Sequence, residues 1–184
     1  MKKFLLRSLL AFALVSQLSA QACRVVVRDA SGRIVQTIER RKQAGGMERA
    51  VTRDASGKIT GTATTRPNTD GTTRTEYRDA SGRITGMAST RPTAGNSSHT
   101  TYRDASGRMT GKAETSRSAG NRERTNFRDG SGRITGSMTS GGGPAGTVTG
   151  VRRDASGRVT GTSSESGKCQ RPATPHTPPS SAKR

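Results

Sequence analysis

One nine-residue signature, Arg-Asp-Ala-Ser-Gly-Arg-Ile-Thr-Gly, recurs six times, beginning at Arg28, Arg53, Arg78, Arg103, Arg128 and Arg153, and every step is 25 residues. A fixed period of this length marks a repeat architecture, in which each copy is one supersecondary unit that buries its apolar face against its neighbours. The Asp, the Ser and the first Gly occur in all six copies; the Ala is replaced once, by Gly130, and the second Arg once, by Lys58. The apolar position holds Ile34, Ile59, Ile84, Met109, Ile134 and Val159, and the last Gly gives way only in the first copy, to Gln36. An atypical first copy is what a terminal capping unit looks like.

The chemistry of one unit points to a β-hairpin. An Asp opening a turn accepts hydrogen bonds from the backbone two residues on. A Gly closing it tolerates the positive φ that a type I turn followed by a bulge requires. In the third copy Asp79-Ala80-Ser81-Gly82 is the connection, with an incoming strand over Thr73 to Arg78 and an outgoing strand over Arg83 to Thr90. Both are rich in Thr with Ile, Tyr or Met, which suits a pleated surface. Strict alternation puts Thr75 and Tyr77 on one face, and Ile84, Gly86 and Ala88 on one face of the return strand. A helix is a poor reading, because no 3.6-residue apolar period survives. Polar stretches such as 91–96 read as a second, looser turn, Pro67 and Pro92 hold the same repeat position, and the Gly-rich stretch 137–147 reads as the weakest part of the array.

The expected fold is therefore all-β: six tandem hairpins forming a curved or closed antiparallel strip over residues 23–161. Composition limits how thick it can be. Hydrophobic residues make up 28% of the 184, aromatics 3%, and Trp is absent. Such a chain opposes conformational entropy poorly, so it is either thin and repetitive or partly disordered. From Thr162 to residue 184, Pro172, Pro175, Pro178 and Pro179 lie among Ser, Thr, Lys and Arg, which predicts a disordered basic tail.

Residues 1–22 read as a secretory signal. Lys2, Lys3 and Arg7 form a positive start, Leu9 to Leu18 is mostly apolar but too short to span a bilayer, and Ala20-Gln21-Ala22 supplies a small-x-small cleavage pattern. Removing it takes three charges from the formal net charge of +19, so the mature chain stays strongly basic. The expected location is periplasmic or extracellular. Cys23 then falls at the mature terminus, where two fates exclude each other. It can carry a lipid, making an outer-membrane lipoprotein, or it can pair with Cys169 in an oxidising compartment. The disulfide demands that the two ends of the array meet, because a flat meander of twelve strands separates them by roughly 50 Å.

Asp-x-x-Gly-Arg-Ile-Thr preceded by an aromatic resembles the YD repeat of bacterial Rhs-type and toxin-shell proteins. The matching residues are Tyr77, Asp79, Gly82, Arg83, Ile84 and Thr85, with Tyr102 and Phe127 as the aromatics of the next copies. The resemblance covers about nine residues of each repeat. Arg78 separates Tyr77 from Asp79, whereas in that family the aromatic directly precedes the Asp. The resemblance implies consecutive hairpins in a curved strip, and nothing about an enclosed toxin.

Candidate functional residues are the paired cations flanking each turn: Arg28 and Arg33, Arg53 and Lys58, Arg78 and Arg83, Arg103 and Arg108, Arg128 and Arg133, Arg153 and Arg158. Across a four-residue connection the two members face each other, an unfavourable placement for like charges. Either the turn Asp lies between them and the pair points into solvent, or the array is a comb of cations for an anionic polymer. Candidate partners are lipopolysaccharide, acidic polysaccharide or nucleic acid, with an acidic protein as the alternative and a purely structural spacer as another. Within the array only Tyr77, Tyr102 and Phe127 offer rings for base stacking, which weakens a single-strand nucleic-acid reading. No cofactor, metal or catalytic site is expected. One carboxylate per turn is too few for calcium, and His99, read in an inter-hairpin loop, and His176 in the tail lack partners at a recognisable spacing.

Overall fold

Each signature forms the tip of one hairpin, and the six hairpins follow one another round a closed ring. A computed structural model of the chain describes residues 22–167. Residues 1–21, which hold nearly all of the expected secretory signal, and residues 168–184, with Cys169 and His176, lie outside the described residues. The hairpins are β1 (Ala22–Asp29) with β2 (Ile34–Lys42), β3 (Glu48–Asp54) with β4 (Ile59–Pro67), and β5 (Thr73–Asp79) with β6 (Ile84–Thr93). They continue as β7 (Ser97–Asp104) with β8 (Met109–Ser118), β9 (Arg122–Asp129) with β10 (Ile134–Gly142), and β11 (Val148–Asp154) with β12 (Val159–Gly167). Each strand pairs antiparallel with its sequence neighbours, and β12 returns to pair with β1 from Cys23↔Gly167 to Asp29↔Gly161. The all-β repeat strip is thus a closed barrel, and closure removes the two free edges of a meander.

Closure needs stagger between strands, and the register supplies it. Arg78 lies opposite Ile84 within its own hairpin but opposite Thr62 on β4. Where neighbouring hairpins meet, the repeat's last Gly permits a close approach. A Cβ on Gly61 would sit 2.7 Å from the Arg78 carbonyl oxygen, and one on Gly86 2.6 Å from that of Arg103. Real Cβ atoms do not tolerate such distances to backbone, so the recurring Gly is a contact requirement between repeats rather than part of the turn.

The interior is built in rows one repeat apart. The residue before each signature, namely Val27, Thr52, Tyr77, Tyr102, Phe127 or Arg152, sits in one inward row. Tyr77, Tyr102 and Phe127 each lie opposite a Gly (Gly86, Gly111 and Gly136), so a large ring fills the space that the missing side chain leaves. Ala50, Ala63, Ala88, Ala113, Val25 and Ile38 complete the apolar core. Burial pushes the hydroxyls of Tyr77 and Tyr102 well above the ordinary tyrosine value. The Arg152 guanidinium lies 5.6 Å from the centre of the Phe127 ring, within cation–π range. Inward-facing threonines pair between hairpins: Thr65 with Thr75 (2.8 Å), Thr90 with Thr100 (3.0 Å) and Thr115 with Thr125 (2.9 Å). Each pair satisfies two hydroxyls that burial would otherwise penalise. The outer wall alternates with these rows and carries residues such as Arg24, Glu39, Arg41, Arg74 and Glu76. The interior thus mixes apolar side chains with paired threonines, and the outer wall carries many charges where a lipid-facing barrel has an apolar band.

The seam has its own fastening. Arg40 on β2 reaches across β1 to Glu165 on β12 at 2.9 Å, with the Arg40 side chain only 7% exposed. Cys23 lies directly opposite Arg40 and Gly167, turned inward and 5% exposed.

Four local expectations are corrected. Thr162–Gly167 belong to β12, not to a tail, because their ladder with β1 closes the barrel. Residues 91–93 remain in β6, so the turn at this end is tighter than expected. His99 lies in β7 opposite Arg91 and Glu114 rather than in a loop. Ile84 does not share the inward face of Gly86 and Ala88. A bulge between Tyr77 and Arg78 leaves Thr85 without a partner, so Ile84 pairs with the outward Arg78 and stands 41% exposed. One extra residue flips everything beyond it to the other face.

A candidate anion-binding crown

An up-and-down meander places alternate connections at opposite ends of the barrel. The six signature turns therefore all project from one end, and the variable turns, with Ala22 and Gly167, mark the other. Each signature turn is the same object. In the third copy the Gly82 N–H donates to the Asp79 carbonyl (3.1 Å) and the Asp79 N–H to the Arg83 carbonyl (3.0 Å), with Gly82 at φ +86. This is the type I turn with a bulge that the signature predicts.

One carboxylate oxygen holds the loop together. Oδ1 of Asp79 accepts from the Ser81 N–H (2.9 Å), the Ser81 hydroxyl (2.7 Å) and the Arg83 N–H (3.0 Å). The same three bonds recur at Asp29, Asp54, Asp104, Asp129 and Asp154. The Ser hydroxyl, more than the backbone donors or the neighbouring cation, holds each of these carboxyls below its ordinary value.

The two cations of each pair do not face each other, which corrects the sequence reading. The bulge sets Arg78 opposite Ile84, and Arg83 closes the loop against Asp79. Their roles also differ. The first cation caps the turn: Nη1 of Arg78 donates to the Gly82 carbonyl (2.7 Å). Arg28, Arg53, Arg103, Arg128 and Arg153 do the same to the Gly four residues on. Sequence reasoning missed this role, although an Arg and a Gly always four apart were its signal. The second cation bonds the turn only through its backbone N–H and C=O at Lys58, Arg83, Arg108, Arg133 and Arg158. Arg33 adds a contact of 3.3 Å to Asp29 while its side chain stays 82% exposed.

The crown thus carries twelve cations against six turn carboxylates, a net +6 by formal charge. A capped guanidinium has five donors and spends one on the turn, so each first Arg is held in place with donors to spare. Glu76 engages Arg78 at 2.6 Å, and Glu114 lies 3.9 Å from Arg128. Tyr77, Tyr102 and Phe127, the rings weighed for base stacking, are all in the core.

No protein-family model matches the chain, and neither does any curated protein sequence.

Proposed function

We propose that this is an exported, non-enzymatic protein whose crown binds anionic polymers. One observation carries the reading. The turn takes backbone groups from its fifth residue, an N–H and a C=O, and a side-chain bond only at Arg33, yet all six copies place a basic side chain there, one of them a Lys. A fold-only account explains the Asp, the Ser, the Gly and the capping Arg, but gives the fifth-position charge only the smallest part in holding the turn carboxylate at five of the six turns. Binding of this kind depends on summed charge, so it is steep in salt and weak in sequence preference. The mature protein is expected to stay on heparin until moderate salt. Changing Arg83, Arg108 and Arg133 together to Gln should bring elution to distinctly lower salt with an unchanged melt. Wild-type elution no later than a neutral control would refute the reading.

The spacer reading has its own support, since most signature residues work for the turn. It predicts that the triple variant keeps full function. An acidic protein partner would also answer to the crown, and would compete with heparin rather than with a neutral polymer.

Export and the pairing of Cys23 belong to the same proposal. Closure brings the β12 end beside Cys23, with Gly167 as its register partner two residues before Cys169. That supports a Cys23–Cys169 disulfide. A lipid on Cys23 would have to leave a side chain that faces inward.

A further inference from the structure

The exposed large aliphatics of the described residues are Ile34, Val35, Ile59, Ile84, Ile134 and Val159, and every one lies just below a signature turn. Met109, half-buried, fills the remaining copy. The bulge that turned Ile84 outward does so in each hairpin, and pairs each aliphatic with the first Arg of its signature: Arg28↔Ile34, Arg53↔Ile59, Arg78↔Ile84, Arg103↔Met109, Arg128↔Ile134 and Arg153↔Val159. Beneath the crown therefore runs a collar of alternating cation and apolar side chain. The turn has no use for this exposure. Thr beside it is equally suited to a strand, and leaving six aliphatics 36–50% exposed forfeits much of their burial.

We infer that the collar binds an acidic polysaccharide, one carrying a carboxylate on alternate sugars. The inference rests on the anion-binding reading and narrows it. Sugar rings have apolar C–H faces that lie against aliphatic side chains, while their carboxylates take guanidinium donors. Spacing points the same way. Adjacent collar units are two strands apart, about 10 Å across the strands and somewhat more around a tilted barrel. That is the span of two sugar rings, whereas phosphates on a nucleic-acid strand follow at about 3.4 Å of rise. Nucleic acid would also want exposed rings, and the barrel buries its rings. A lipid surface fits poorly, because the cationic turn tips stand beyond the aliphatics and would have to enter hydrocarbon first. A second copy would bring two crowns of the same sign together.

The test measures binding of the full mature protein to hyaluronan and to inorganic polyphosphate at matched charge and ionic strength. The variant Ile59→Thr, Ile84→Thr, Ile134→Thr changes the collar without changing charge, and its melt verifies the fold. Hyaluronan is expected to bind more tightly than polyphosphate. The triple variant should lose about tenfold for hyaluronan, which corresponds to about 1.4 kcal/mol, and stay within about twofold for polyphosphate. Equal binding of the two polymers by the wild type, or equal loss for both in the variant, would overturn the inference while leaving anion binding intact. No binding of either would overturn the anion-binding reading itself.

Discussion

Oδ1 of Asp79 takes three donors at once, and five equivalent carboxylates do the same around the crown. Each is held below the ordinary value of 3.8, chiefly by its Ser hydroxyl. A carboxyl whose folded value is depressed contributes stability that is present above its unfolded value and lost as pH falls through the folded one. The melting temperature is therefore expected to hold from neutral pH to about pH 5 and to fall below about pH 4. Circular dichroism melts at several pH values would check it. General charge repulsion also grows in acid, so the discriminating measurement is Asp104→Asn, which should melt lower at pH 7 and show a shallower acid slope. At the same scale, Gly86→Ala should cost about 2–3 kcal/mol, because its Cβ meets the Arg103 carbonyl and backbone cannot step aside. Urea unfolding would read it, and Gly82→Ala would serve as a contrast: its space is open but its φ of +86 is strained. The turn was legible in the sequence because all its partners lie within four residues. The capping role of Arg78 was equally local, but paired cations suggested a ligand first.

Between elements, the side-chain bonds that reinforce the backbone ladder from hairpin to hairpin include the inward threonine pairs and, at the seam, Arg40 with Glu165. Arg40→Ala leaves a carboxylate that is 17% exposed without its partner inside the barrel. A loss of about 2–4 kcal/mol is expected, since breaking such a pair strands a charge. Replacing both partners, Arg40→Met with Glu165→Leu, should recover most of it. Denaturant midpoints of the single and double variants give the coupling directly. Neither residue drew notice in the sequence. They are 125 positions apart and outside the repeated signature, so only the meeting of the first and last hairpins gives them a common purpose. The outward turn of Ile84 was hidden for a related reason. Alternation predicts a face only while register is unbroken, and the bulge inside each hairpin breaks it.

For the whole molecule, closure answers the shortage of hydrophobic residues. A thin sheet of Ala, Thr and Gly cannot cover two faces and two edges, but a barrel has one inner face and no edges. If the Cys23–Cys169 disulfide is formed, it closes a loop around nearly the whole array and should stabilise the barrel by about 5 kcal/mol on the chain-entropy model. Unfolding with and without reductant would show the difference, alongside a mobility shift between reducing and non-reducing electrophoresis. No shift, with a free thiol at Cys169, would remove the disulfide.

By itself the sequence determined the hairpin, its turn and its count, because a turn is written in neighbours and a period can be read from one chain. It also specified twelve cations at regular intervals. Tertiary structure decided where those cations stand: on one rim, with the first of each pair anchored to its own turn by one donor and the second bonded to the turn mainly through its backbone. It also decided that the repeated aliphatic faces outward, and that the ends meet. Both outcomes depend on register between strands, which sets how far each hairpin is staggered against the next, and no single repeat contains that information.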